Sequence, residues 1–130
     1  MLRRNLLLGV AGVAVLGVTG CAIHPVSVQQ ATELPAAQLR TCIKRAAHRR
    51  GWRVVTDEPG KMRIKYVKGP HVLVADVTYD NEGYMIEAVK EGSTLFNKDG
   101  TAHRKVNSWT ANLTVTIREE ENKILLRQTN

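Results

Sequence analysis

From residue 33 onward, apolar positions recur with two different periods, and each change of period marks a new element. Ala36, Leu39, Ile43 and Ala46 or Ala47 fall three or four residues apart, the spacing that gathers side chains on one side of a helix, with Cys42 beside the stripe. Pro35 suits a first turn, Glu33 complements the helix dipole there, and Gly51 stands where a C-terminal cap belongs. The segment "TELPAAQLRTCIKRAAHRRG" is therefore expected to be helical. The period then drops to two. Trp52, Val54 and Thr56 alternate with Arg53 and Val55, and Met62, Ile64 and Tyr66 alternate with Arg63, Lys65 and Val67. "HVLVADVTYD" and "YMIEAV" supply two more strands, and the turns between neighbours are short enough to require antiparallel pairing. Met62, Ile64, Tyr66, Tyr84 and Ile86 should then face a core, with Arg63, Lys65 and Glu87 facing water.

The last third carries both periods at once. Ala102, Val106, Trp109, Leu113 and Ile117 make a helical stripe that Asp99 or Thr101 would cap, while Leu113, Val115 and Ile117 alternate with Thr114 and Thr116 as in a strand. Residues 113–117 alone fit either state. The helix accounts for Val106 and Trp109 as well, and Glu119 can pair with Lys123 within it. The expected fold is α+β: a four-stranded antiparallel meander with an N-terminal and a C-terminal helix packed on one face, in the order α-β-β-β-β-α, over residues 33–130. Its fourth strand, "YMIEAVKE", is expected at an edge that only Glu87, Lys90 and Glu91 discourage from pairing.

The start of the chain has a different character. Arg3 and Arg4 precede an unbroken apolar run of thirteen residues, Leu6 to Val18, and small Gly20 precedes Cys21. A basic start, a short apolar run and a small-residue end are the parts of a secretory signal, and the run falls short of the roughly 20 residues a bilayer span requires. The four residues Val18, Thr19, Gly20 and Cys21 resemble the bacterial lipobox, which implies cleavage after residue 20 and a diacylglycerol thioether on Cys21. Ala22 in place of Asp resembles the outer-membrane sorting pattern, which implies, in a Gram-negative source, a protein held by its lipid on the outer membrane and facing the periplasm. Two or three acyl chains would anchor it firmly. Residues 21–32, mostly small and polar with one proline, then read as a tether.

Charge narrows the function. Without residues 1–20 the chain keeps 17 of its 19 Lys and Arg against all 12 Asp and Glu, a net +5, and residues 38–68 alone carry ten basic residues against Asp57 and Glu58, a local +8. Such a concentration points to an anionic partner, with Arg40, Lys44, Arg45, Arg49, Arg63 and Lys65 as candidate contacts. Nucleic acid would suit the charge, but export removes it from reach. With Cys21 acylated, Cys42 is the one thiol left, so no intrachain disulfide is expected, and its place on the apolar side of a helix fits a small buried hydrophobe. His24, His48, His71 and His103 are scattered, with no metal-binding spacing, and no cofactor is implied.

"RRGW" (Arg49 to Trp52), "TYD" (Thr78 to Asp80), "GSTLF" (Gly92 to Phe96) and "HRKVNSWTANL" (His103 to Leu113) together resemble a family of small, uncharacterised bacterial envelope lipoproteins, over about residues 40–117. Ser93, Leu95, His103, Asn107, Trp109 and Leu113 match its pattern, while Ala102 and Val106 replace bulkier residues. The resemblance implies an envelope location and no activity. On a helix begun near Thr101, His103 and Asn107 would share a side and, with Ser93, line a polar pocket, or else tie the 92–100 loop to the helix by hydrogen bonds. No carboxylate pair or nucleophile with an adjacent base appears, so a small hydrolase is the least supported of three readings. The first is a lipid-anchored, non-catalytic envelope protein whose basic half docks on anionic lipid, glycan or an acidic protein face. The second is an accessory subunit of an envelope complex, recognised through a sheet edge or apolar patch.

Overall fold

A computed structural model describes residues 22–129. The lipidation expected at Cys21 and the leader before it lie outside these residues. Among the described residues nine elements follow one another: β1 (Ala22–Ile23), β2 (Val28–Ala31), α1 (Ala36–Arg49), β3 (Arg53–Glu58), β4 (Lys61–Lys68), β5 (His71–Tyr79), β6 (Gly83–Val89), β7 (Ala102–His103) and α2 (Lys105–Thr129). Strands β2 to β6 form one antiparallel sheet in the order β2-β6-β5-β4-β3, and β1 pairs with β7 in a separate two-stranded ladder. The molecule is α+β with an antiparallel sheet, as expected, but the sheet has five strands. The additional strand comes from the stretch expected as a tether: Val28 to Ala31 pair with Ile86 to Gly83. This pairing also covers the edge that "YMIEAVKE" was expected to leave open.

The meander follows from alternation. Met62 pairs with Val77, Ile64 with Ala75 and Val77 with Ile86, so one face of the sheet is continuously apolar. Met62, Ile64, Ala75, Val77 and Ile86 are fully buried there with Leu39, Ile43, Leu113 and Ile117, which places both helices on that face. At about 25 cal/mol per Å² of apolar surface, each of these side chains larger than alanine contributes on the order of 2 kcal/mol. The opposite face carries Arg63, cross-strand from Asp76 and bonded to it through Nε and Nη2 at 2.8 and 3.0 Å.

α1 ends as "RRGW" dictates. Gly51 adopts φ +84, a value L side chains rarely take, and its N–H donates to His48 O (3.1 Å) while that of Trp52 donates to Ala47 O (2.8 Å). These two bonds form a Schellman cap, and they turn Trp52 into the core, where it is 5% exposed. α2 holds 113–117 as helix, the longer of the two periods. Its strand-like threonines are accommodated because Thr110, Thr114 and Thr116 donate their hydroxyls to Val106, Thr110 and Asn112 carbonyls one turn back. α2 starts at Lys105, later than an Asp99 or Thr101 cap would place it, because Ala102 and His103 are held in extended pairing by Ile23 and Ala22. His103 is therefore not on the helix with Asn107.

Candidate anion-binding groove

The two helices run antiparallel. Gln38 near the start of α1 meets Gln128 at the end of α2 (3.4 Å), and Arg50, just past α1, donates Nε to Thr116 Oγ1 (2.7 Å). Because Leu39, Cys42, Ile43, Ala46 and Ala47 are buried, the residues between them turn outward along the helix seam. A groove of about 770 Å³ follows the seam, walled by Lys44, Arg45, His48 and Arg49 on α1 and by Glu120, Lys123 and Arg127 on α2. Like charges one turn apart, Arg45 and Arg49, Lys123 and Arg127, oppose each helix by a few tenths of a kcal/mol per pair. A shared carboxylate offsets part of this.

That carboxylate is Glu120, whose side chain is only 4% exposed. It accepts from Arg49 Nη1 at 2.8 Å and from Lys123 Nζ at 2.9 Å, while Glu119 accepts from Arg49 Nη2 at 2.9 Å. Burial alone would push the Glu120 carboxyl up; the hydrogen bonds from Lys123 and Arg49, with their charges, outweigh burial and hold it below its usual range. Glu120 is thus ionised at neutral pH and fixes two cations at the rim. Five cations still face this one carboxylate across the groove. Among the described residues, no ion pair engages Arg45 or Arg127.

The candidate contacts in the basic run separate. Lys44, Arg45 and Arg49 wall the groove. Arg40 binds Asp57 through Nε (3.1 Å) and Nη2, Lys44 lies 3.3 Å from the same carboxylate, and the Arg40 bond holds Asp57 below its usual range. Arg63 and Lys65 lie on the far face of the sheet, where Arg63 likewise lowers Asp76. Lys123 and Arg127 were absent from the sequence-based candidates, although their spacing from Glu119 and Glu120 marks a charged flank of α2.

Ser93, His103 and Asn107 are each occupied by main-chain bonds. Ser93 Oγ donates to Val89 O (2.6 Å) and accepts from Val74 N–H (2.8 Å), which fastens the loop after β6. His103 Nδ1 accepts from Lys105 N–H (3.1 Å) and so caps α2. Asn107 accepts from Val26 N–H (3.0 Å) and donates to His24 O (3.2 Å), holding the segment between β1 and β2. These contacts tie loops to elements and do not converge on one pocket. Cys42 is 1% exposed, and burial raises its thiol to about 11, which leaves it unreactive at neutral pH. Among the described residues, no group of three His, Cys, Asp or Glu could hold a metal ion, and no helix is long and apolar enough to cross a membrane.

No family model, curated protein or solved structure matches the chain.

Proposed function

We propose that the protein is a lipid-anchored, non-catalytic envelope protein, held through Cys21 on the outer membrane and facing the periplasm, whose α1–α2 groove docks an anionic component of the envelope. The observation that carries this reading is the excess of five cations over the one carboxylate lining the groove, with Arg45 and Arg127 in no ion pair among the described residues, on two helices whose backbones are fixed by the core. A rigid cationic wall suits recognition more than chemistry. The side chains offered as a polar pocket are already spent on main-chain bonds, which supports a non-catalytic role.

The test uses the mature acylated protein in neutral detergent micelles, titrated with short-chain polyphosphate. Affinity should fall as salt rises, since solvent-exposed charges are screened within about 8–10 Å at ordinary ionic strength. Arg45→Glu combined with Lys123→Glu should weaken binding about tenfold or more, each reversal removing on the order of 1 kcal/mol. Binding indifferent to both salt and the double reversal would overturn the reading.

A second reading, an accessory subunit docked through a sheet edge, has one observation in its favour. β3 ends the sheet, and Val55 on it is 51% exposed. A register shift between Val54 and Thr56 and the charges of Arg53, Asp57 and Glu58 oppose strand addition there. A stoichiometric partner retained in high salt and lost on Val55→Lys would favour this reading over the first.

A further inference from the structure

The segment expected to hang free of the domain is built into it, and this fixes which end of the molecule can meet a membrane. Ala22 pairs with His103 and Ile23 with Ala102, and Asn107 grips His24 and Val26 beyond them. Cys21 is one peptide unit, about 3.8 Å, from Ala22. A lipid on Cys21 therefore leaves almost no slack between bilayer and fold.

The surface around Ala22 suits that position. The His103 ring lies tilted against His71 with centroids 5.8 Å apart, and His71 meets Trp109 edge-on at 6.5 Å, which brings the β4–β5 turn and the first turns of α2 to the same end. Two of the exposed large apolar residues lie here, Val26 (61%) and Val67 (54%), and Trp109 is half-buried beside Tyr66. Lys68 and Arg104 are exposed at this end, and Lys105 opens α2. Cations beside an aromatic ring and isolated valines match the headgroup layer, where indoles settle and basic side chains reach phosphate.

We propose that this end, formed by the β1–β7 ladder, the β4–β5 turn and the first turns of α2, rests on the bilayer in which the chain's own acyl groups sit, with Trp109 at headgroup depth. The proposal rests on the reading of Cys21 as lipidated. It also separates two surfaces. Glu120 and Arg127 follow Lys105 by fifteen and twenty-two residues, about 22 and 33 Å of helix rise, so α2 standing on its first turn carries the basic groove two or more Debye lengths from its own membrane. The groove then faces partners in the periplasmic space and not the headgroups beneath the anchor.

The experiment places the mature acylated protein in vesicles of phosphatidylethanolamine and phosphatidylglycerol that carry nitroxide labels at headgroup or chain-end depth. Trp52→Phe leaves Trp109 as the single tryptophan. Headgroup labels should remove most of its emission and chain-end labels little. In the Trp52-containing background, Arg104→Cys and Gln128→Cys, each bearing a spin label, give a second measurement that does not depend on the core substitution. The label at 104 should be shielded from an aqueous relaxant and the label at 128 should not. Protein that floats with the vesicles and carries its acyl mass, yet shows equal exposure at 104 and 128 and no headgroup quenching, overturns this orientation and leaves the anchor intact. Protein with an unmodified Cys21 overturns both.

Discussion

His103 joins two strands of the molecule's chemistry: it is a strand residue paired with Ala22, and its Nδ1 lone pair receives the first amide of α2. Protonating that nitrogen removes the acceptor. Burial, and then the charges of Lys105, His71 and Arg104, lower its affinity for a proton below the ordinary value of 6.5. The unfolded chain thus binds this proton more readily than the native one. The cap's contribution is complete above about pH 6.5 and declines as the pH falls through the lowered native value. His103→Asn, which keeps a capping acceptor without the titration, should flatten the fall in Tm between neutral and mildly acidic pH; an unchanged slope would remove His103 from the account. Tyr79 offers the converse case. Its hydroxyl is buried with no hydrogen-bond partner among the described residues, a condition that costs about 1–3 kcal/mol. Tyr79→Phe should therefore raise stability by about 1 kcal/mol in urea denaturation, with the midpoint moving and the slope unchanged.

Elements differ in how openly the sequence declares them, and the difference follows burial. α1 and β4 to β6 were legible because one side of each faces the core, so Leu39, Ile43, Met62, Ile64 and Ile86 recur with the period of the backbone, whereas β3 buries no residue fully and loses the alternation at the register shift after Val54. β2 was not. It is a four-residue edge strand, "VQQA", with Gln29 exposed and its partner more than fifty residues away in sequence. α2 was legible as a stripe and blurred by Thr110, Thr114 and Thr116, whose hydroxyls the helix satisfies by itself. The groove was half legible: Lys44, Arg45 and Arg49 stood out as charge, while Lys123 and Arg127 join them only because the helices pack antiparallel. Glycine at 83 is where β2 can be tested as an element. A Cβ there would lie 2.2 Å from Gln30 O, a backbone atom that cannot yield cheaply. Gly83→Ala should detach β2, seen as lost hydrogen-exchange protection at its amides while β4 and β5 keep theirs. Retained protection in β2 would mean that the ladder tolerates the shift.

For the whole molecule, folding stability and anion capture bear on the same carboxylate in opposite directions. Glu120→Gln keeps the shape and one acceptor but releases Arg49 and Lys123 from their shared charge. Both cations are more than 40% exposed, so the loss of stability should be modest, about 1–2 kcal/mol. Polyphosphate affinity should rise about fivefold, the equivalent of roughly 1 kcal/mol of recovered attraction. Equal affinity of the variant and the parent protein would place the anion elsewhere. The long-range ladders have a consequence for how the chain comes together. Residues 22 to 31 are the earliest of the described segment to be synthesised, yet their partners are Gly83 to Ile86 and Ala102 to His103. Emerging amino-end first, the chain can close the β2–β6 ladder only once residue 86 is out and the β1–β7 ladder only once residue 103 is, and contacts so distant in sequence form slowly. Val28 to Ala31 must wait for about two thirds of the polypeptide, and Ala22 and Ile23 for about four fifths.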